Sequence, residues 1–239
     1  MHRPLVNTRG QRLAATWIDV PTSSEAIVVV GHGLTSDRTR PWSVALSDAL
    51  ADRGLPSVRL AFAGNGHSDG AFEDSCVSSQ VDDLGVVLDR LEGRPIVYVG
   101  HSMGATVGVL RAASDPRITT LVSLAGLVHT AEFFHRMFGH LNPGDLLLDK
   151  PGKPLAPRLR DELLAVDTVL PAASEITVPW LLVHGTADDV VPVDHSRDVH
   201  RAHPDSTELI ELDGVDHSFT GPGVARVAQT VGDWLQDRV

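Results

Sequence analysis

The chain has 239 residues, with 31 Asp or Glu against 20 Lys or Arg, so its formal net charge is −11. This acidic balance provides no basic surface for phosphates, and it argues against nucleic-acid binding and against docking to anionic membranes. With 42% hydrophobic and 21% charged residues, the composition is that of a globular protein, and the length suits one large domain with or without an insertion.

Five short apolar runs predict β-strands, and they occupy residues 26–30, 56–60, 96–99, 118–125 and 178–184. Because their apolarity is continuous rather than alternating, we expect strands buried on both faces, as in a parallel sheet covered by helices. Apolar residues at helical spacing fill residues 77–91, with Asp74 or Ser75 placed to cap the helix, and residues 224–234 near the end of the chain. Strands alternating with helices predict an α/β fold with an open, doubly wound, mostly parallel sheet.

One connection is much longer than a crossover requires. About 50 residues separate the fourth run from the fifth, where about a dozen would suffice. Two apolar stripes at helical spacing lie in this stretch, namely Phe133, Phe134, Met137 and Phe138, and then Leu159, Leu163, Val166 and Leu170. We therefore predict a single domain over residues 1–239 with a small helical cap inserted at residues 127–177. The first stripe could line a substrate pocket, or it could be the face by which its helix packs.

The single cysteine and the first residues of the chain set expectations about the compartment. Cys76 has no partner in the chain, which excludes an intramolecular disulfide and is compatible with a reducing compartment. Residues 1–20 lack the continuous apolar segment of a secretory signal, and no stretch reaches the roughly 18 apolar residues of a membrane span. We expect a cytoplasmic protein without a membrane span.

The strongest chemical signal follows the strand at residues 96–99. The sequence Gly100-His101-Ser102-Met103-Gly104 matches the G-x-S-x-G pattern, in which a serine occupies a sharp turn between a strand and a helix. The turn is so tight that side chains at the glycine positions would clash. Ser102 is therefore the candidate nucleophile, the alternative being a chance pentapeptide in a glycine-rich chain, and we expect His101 to be a packed or hydrogen-bonded neighbour.

A serine nucleophile needs a base, and the base needs a carboxylate that orients it. In hydrolases with this turn the acid and then the histidine follow the serine along the chain. Asp188 and Asp189 come at the end of the last predicted strand, and His217 lies in a glycine-containing loop before the final helix. No HExxH, HxH or Cys/His cluster has the spacing of metal ligands, so we expect neither a metal nor a cofactor.

With these motifs in this order, the chain resembles the α/β-hydrolase-fold serine esterases nearly from end to end. The resemblance implies that Asp188 is the acid, because it matches the D of the family pattern H-G-x-x-D-x-x-V-P, and it leaves Asp189 as the competitor. It also implies that His217 is the base. The oxyanion hole is then expected from the backbone N–H groups of Leu34 and Met103.

A narrower resemblance rests on residues 62–74, on the His-Gly-Leu-Thr loop at residues 32–35 and on the short cap. These features are similar to the bacterial cinnamoyl or feruloyl esterases, and more loosely to monoacylglycerol lipases and serine-aminopeptidase-like hydrolases. Asn65 departs from this group, which commonly carries His there, and the only tyrosine, Tyr98, lies in a strand instead of the cap. Other polar side chains of the cap could replace a tyrosine, although a solvated position is the more usual role for such residues: His129, His135, His140, Asp145 and Asp167.

The resemblance implies a hydrolase of small to medium carboxylic esters, including feruloyl or cinnamoyl esters, that works through an acyl-enzyme. The same triad also serves thioesterases, amidases or peptidases, and monoacylglycerol lipases. An acyl-CoA substrate would need a local basic group such as Arg158 and Arg160. The alternative from another class is a non-catalytic binding protein on the same scaffold. The expected partner is a small-molecule ester, and the sequence does not indicate an oligomeric state.

Overall fold

A computed structural model describes residues 4–21, 24–91 and 93–239. Residues 1–3 of the N-terminal segment considered above lie outside the described residues. Two short strands pair antiparallel near the N-terminus, β1 (Leu5–Val6) and β2 (Arg12–Leu13). A seven-stranded sheet contains β3 (Ala15–Ile18), β4 (Ile27–Gly31), β5 (Ser57–Leu60), β6 (Ile96–His101), β7 (Ile118–Leu124), β8 (Trp180–Gly185) and β9 (Thr207–Leu212).

The sheet confirms the predicted α/β class. Its strand order is β3-β5-β4-β6-β7-β8-β9, and every neighbouring pair is parallel except β3 with β5. The five predicted strands correspond to β4 through β8. The sequence patterns did not predict β3 and β9, which form the two edges of the sheet and are less buried than the central strands.

The helices follow the strands in the alternation expected of a doubly wound sheet. They are α1 (Pro41–Asp52), α2 (Val77–Arg90), α3 (Met103–Ala112), α4 (Thr130–Phe138), α5 (Pro157–Val166), α6 (Leu170–Ala173), α7 (Asp194–Ala202) and α8 (Gly223–Gln236). Short 3-10 turns occur at Phe72–Asp74 and Leu147–Asp149. Within the described ranges, none of these helices combines the length and the apolarity that crossing a bilayer requires.

The start of α2 differs from the prediction. Its N-cap is Cys76, not Asp74 or Ser75. The hydroxyl of Ser79 accepts the backbone N–H of Cys76 at 2.9 Å, which satisfies one of the free donors at the helix start. Ser75 is engaged elsewhere, because its hydroxyl oxygen accepts hydrogen bonds from the side-chain amides of Asn65 and Gln80.

Alternate residues of the central strands face opposite layers of helices. On β4, Val28 and Val30 pack in the cluster that contains α1 and α8, whereas Ile27 and Val29 pack in the cluster that contains α2 and α3. All four side chains are buried, and each fully buried aliphatic side chain of this size contributes about 1.5–3 kcal/mol. This two-sided burial explains why the strand sequences are continuously apolar.

The order of the strands fixes where a site can form. The chain runs from β4 outward to β5 and then returns to β6 on the other side of β4. The loops that follow β4 and β6 therefore diverge to opposite layers and leave a crevice at the carboxyl edge of the sheet. Both predicted oxyanion donors and Ser102 lie at this edge, because β4 ends at Gly31 and β6 ends at His101.

Candidate active site

Ser102 occupies a strained turn between β6 and α3. Its backbone has φ 53° and ψ −120°, a region that non-glycine residues rarely adopt. A Cβ atom at Gly100 would lie 2.3 Å from the carbonyl oxygen of Gly104, and one at Gly104 would lie 2.6 Å from the carbonyl oxygen of His32. These distances confirm the steric reason predicted for the two glycines, and they show why the turn can lift the serine side chain away from the backbone.

His217 is held by Asp188. Its Nδ1 atom lies 2.7 Å from Oδ2 of Asp188, whose side chain is fully buried. The other carboxylate oxygen, Oδ1, accepts the backbone N–H groups of Val190 at 2.9 Å and Val191 at 2.8 Å. Burial alone would raise the pKa of Asp188, but the hydrogen bonds from His184 and His217 outweigh it and hold the pKa well below its usual range. Asp188 is thus a stable anion behind the imidazole.

The structure separates the two aspartates that the sequence left as alternatives. Asp189 is exposed, and its backbone carbonyl accepts a hydrogen bond from Arg136 at 3.2 Å. It is Asp188 that contacts His217. Asp216, beside the histidine in sequence, accepts the N–H and the hydroxyl of Thr220 and so fixes its own loop.

The imidazole of His184 also contacts Asp188. In the sequence, His184 was identified only as the first residue of the H-G-x-x-D pattern. Its Nε2 lies 2.9 Å from the carbonyl oxygen of Val191 and 3.2 Å from Oδ2 of Asp188. Its Nδ1 lies 2.7 Å from the hydroxyl of Ser196. Because a carbonyl oxygen can only accept, Nε2 carries the proton and Nδ1 accepts from Ser196. His184 and His217 therefore both contact Oδ2 of Asp188.

His101 is a hydrogen-bonded neighbour, as predicted. Its Nε2 donates to the backbone carbonyl of His217 at 2.8 Å, and its ring lies 4.8 Å from the His217 ring between centroids. Burial and the neighbouring His217 lower the pKa of His101 to about 3, so the ring is neutral near pH 7. This contact positions the loop that carries His217.

The loop after β4 presents a free backbone donor. His32 is buried, its Nδ1 lies 2.8 Å from the carbonyl oxygen of Gly33, and its Nε2 accepts the backbone N–H of Phe62 at 3.1 Å. In a trans peptide the carbonyl and the next N–H point in opposite directions. Drawing the Gly33 carbonyl toward His32 therefore turns the N–H of Leu34 the other way. Within the described part of the chain, the N–H groups of Leu34 and Met103 have no hydrogen-bond acceptor, so both can serve a ligand.

A cavity of about 120 Å³ joins these elements. Its walls combine the nucleophile turn, the loop after β4 and part of the 127–177 segment, namely Gly33, Leu34, Ser36, Arg40, His101, Ser102, Phe133, Phe138, Leu148, Lys150, Val190, His217 and Ser218. Phe133 and Phe138 thus line the cavity, in agreement with the alternative that the first apolar stripe lines a substrate pocket. Phe134 is buried and Met137 half-buried in the adjoining apolar cluster, so these two pack the segment and are not among the lining residues.

Other polar residues singled out in the sequence have partners away from the cavity. His129 pairs with Asp198 at 3.1 Å, and Asp145 accepts the backbone N–H of Asn142. His135, His140 and Asp167 are likewise not among the lining residues. Arg158 pairs with Glu162 and Arg160 with Asp161, and neither arginine is among the lining residues of the cavity.

Comparison with known proteins agrees with this architecture. The family model described as alpha/beta hydrolase fold matches residues 26–150. Est1E from Butyrivibrio proteoclasticus, in a structure with bound ferulic acid, has a TM-score of 0.88 at 22% identity, and the match covers 99% of this chain and 98% of the Est1E chain. The monoacylglycerol lipase of Paleococcus ferrophilus has a TM-score of 0.76 at 20% identity, and the match covers 95% of this chain and 99% of the lipase chain.

Mouse alpha/beta hydrolase domain-containing protein 10 has a TM-score of 0.77 at 19% identity, with 99% of both chains covered. At these identities the likeness to solved structures establishes a shared fold. The family model itself spans just over half of the chain, including β4, the turn at Ser102 and the start of the 127–177 segment. The chain therefore belongs to the alpha/beta hydrolase fold family.

Proposed function

We propose that the protein is a serine hydrolase of small to medium carboxylic esters, with Ser102 as nucleophile, His217 as base and Asp188 as the orienting acid. The observation that carries the proposal is the 2.7 Å contact from His217 Nδ1 to the buried Asp188, made where Ser102 and His217 line one cavity. The strained backbone of Ser102 supports it, as do the N–H groups of Leu34 and Met103, which have no acceptor among the described residues.

The geometry suggests a mechanism in two halves. Because His217 donates its Nδ1 proton to Asp188, its Nε2 has a free lone pair and can take the proton of the Ser102 hydroxyl as Oγ attacks the ester carbonyl. The tetrahedral oxyanion accepts hydrogen bonds from the N–H groups of Leu34 and Met103. When the carbon–oxygen bond to the alcohol breaks, His217 returns the proton to the departing oxygen. Water then attacks the acyl-enzyme by the same steps, which releases the acid and restores Ser102.

The cavity favours short acyl groups. Its volume of about 120 Å³ is below the roughly 300–1,000 Å³ of pockets that hold drug-sized ligands, and Phe133 and Phe138 make part of its wall apolar. Tyr98, the only tyrosine, is buried and donates its hydroxyl to the Gly104 carbonyl, so it cannot contact a phenolic substrate. We therefore propose that short aliphatic esters are better substrates than feruloyl esters, although Est1E is a relative in fold that binds ferulic acid. The 127–177 segment acts as the cap that sets this preference.

A panel of p-nitrophenyl esters from C2 to C12, with methyl ferulate and a matched thioester and anilide, tests the reaction class. Labelling with a fluorophosphonate probe tests the nucleophile. We expect Ser102→Ala and His217→Ala to abolish labelling and to lower turnover by about 10⁶-fold. Ser114→Ala, just beyond the end of α3, and His203→Ala, directly after α7, are matched controls and should behave as wild type.

Retention of more than a few per cent of ester hydrolysis in Ser102→Ala would refute the assignment. A wild-type protein that neither hydrolyses any member of the panel nor reacts with the probe would favour the non-catalytic binding protein.

A further inference from the structure

The wall of the active-site cavity has a charge opposite to that of the whole chain. Arg40 and Lys150 both line it, and none of its described lining residues is Asp or Glu. The two charged side chains at the cavity are thus both cations, although acidic residues outnumber basic ones by 31 to 20 in the chain. The chain has only two lysines, Lys150 and Lys153, and one of them is at this wall.

Arg40 has unused binding capacity. It immediately precedes α1, and its backbone carbonyl accepts the N–H groups of Ser43 and Val44. Among the described residues, however, its guanidinium neither forms an ion pair nor donates a hydrogen bond. Most other arginines are engaged; Arg117, for example, binds both Asp89 and Asp115. A guanidinium offers five N–H donors in a planar fork that fits a carboxylate, so a ligand anion could bind Arg40 without displacing an existing partner.

Lys150 brings a second cation from the 127–177 segment. Its Nζ donates to the hydroxyl of Thr35 at 2.9 Å, next to the proposed oxyanion donor Leu34. No described carboxylate lies within ion-pair distance of its ammonium group. Burial and the charge of Arg40 lower the pKa of Lys150, against an opposing effect of Asp37, and Lys150 and Arg40 line the same cavity. Asp37 itself accepts the N–H and hydroxyl of Thr39.

We propose that Arg40 and Lys150 bind a carboxylate on the substrate, so that the preferred esters carry this group a few atoms from the scissile carbonyl. The inference rests on the proposed ester hydrolysis and specifies its substrate class. A bound carboxylate would relieve the mutual repulsion of the two cations and gain charge-assisted hydrogen bonds in a partly desolvated wall. The small cavity favours a compact planar carboxylate over a tetrahedral phosphate.

The test compares two esters of nearly equal shape, p-nitrophenyl hemiglutarate, which ends in a carboxylate, and p-nitrophenyl 5-methylhexanoate, which ends in an isopropyl group. The readout is the ratio of their kcat/KM values. We expect wild type to prefer the hemiglutarate, and Arg40→Gln and Lys150→Gln each to lower the ratio by about 10-fold to 100-fold. Arg40→Lys should give an intermediate ratio. Added salt should reduce the wild-type preference.

Arg90→Gln is the matched control, because Arg90 is an exposed arginine on α2, and its ratio should equal that of wild type. If the protein hydrolyses neither ester and does not react with the fluorophosphonate, the proposed function itself fails. If Ser102-dependent hydrolysis occurs but the ratio is the same in wild type, Arg40→Gln and Lys150→Gln, only the carboxylate inference is overturned. Stronger inhibition of neutral-ester hydrolysis by inorganic phosphate than by glutarate would also overturn it.

Discussion

Replacing Asp188 by Asn should disable the proposed triad while preserving its shape. Oδ2 of Asp188 receives the Nδ1 proton of His217 at 2.7 Å, and Oδ1 accepts the N–H groups of Val190 and Val191. An Asn whose oxygen keeps the two backbone bonds must turn its NH₂ group toward His217. The imidazole then accepts at Nδ1 and holds its proton at Nε2, so it cannot take the proton of Ser102. We expect kcat to fall by about 10⁴-fold, the size of effect seen when a serine protease loses this orientation.

The same change should lower stability by a smaller amount. It removes a charge-assisted bond to a buried carboxylate, which contributes about 1.5–3 kcal/mol to the free energy of unfolding. The pKa of Asp188 is depressed in the folded protein, because the bonds from His184 and His217 outweigh burial. A carboxyl with a depressed folded pKa stabilises the protein above its unfolded pKa, and that stabilisation is lost as the pH falls through the folded value. The stability difference between wild type and Asp188→Asn should therefore be largest near neutral pH and shrink below about pH 4.

Asp189→Asn is the control for both effects, because its side chain is exposed and next in sequence. Steady-state hydrolysis of p-nitrophenyl butyrate gives kcat, the rate of fluorophosphonate labelling reports nucleophile activation, and urea unfolding gives the free energy. Asp188→Asn should be slow in both reactions yet folded, and Asp189→Asn should match wild type. A folded Asp188→Asn variant with more than a tenth of wild-type kcat, or an equal loss in Asp189→Asn, would refute the role given to Asp188.

Two further predictions concern a residue in the loop after β4 and a residue that lines the cavity. Burial lowers the pKa of His32 to about 4. The neutral imidazole therefore stabilises the fold fully above the unfolded pKa near 6.5, and about 3 kcal/mol of this stability is lost as the pH falls toward 4. The free energy of unfolding of His32→Asn in urea should depend less on pH over this range than that of wild type, and an equal dependence would contradict the buried, neutral state of His32. Phe138→Ala should cost about 3–5 kcal/mol and raise hydrolysis of C8 esters relative to C2 esters, because Phe138 lines the cavity. Phe134→Ala, buried but not lining it, should lose stability without changing the chain-length preference.

The central strands could be predicted because burial on both faces leaves a continuous apolar run in the sequence. The edge strands do not carry that signal. On β9, Glu208 and Glu211 are exposed, and all four residues of β3 are half-buried. Such strands are specified by pairing with a neighbour that is distant in sequence, as Trp17 pairs with Val58. The cap of α2 was mispredicted for a similar reason, since the partners of Ser75 include Asn65 from another loop.

The candidate triad could be proposed from the sequence because each member lies in a local motif at the end of a strand. The contacts that hold these residues in place could not be predicted, since they join segments far apart in the chain. The bond from His101 to the His217 carbonyl spans more than a hundred residues, and the orientation of the Leu34 N–H depends on how His32 bonds to Phe62 and Gly33. His184 could be recognised in the sequence as the first residue of the H-G-x-x-D pattern. Its contact with Ser196 on α7 could not be predicted, because it depends on how α7 packs in the fold.

Net charge is a sum over the surface, whereas recognition depends on the few groups that face a ligand. The total of −11 argues against a phosphate polymer as partner, because a polymer contacts an extended surface. It does not constrain a small substrate that contacts only the cavity wall. Arg40 and Lys150 come together there because the 127–177 segment reaches Thr35 in the loop after β4. The acidic surface repels an anionic ester at long range, but salt screens that repulsion beyond about 10 Å. Discrimination is therefore expected to come from the two cations and to disappear when they are neutralised.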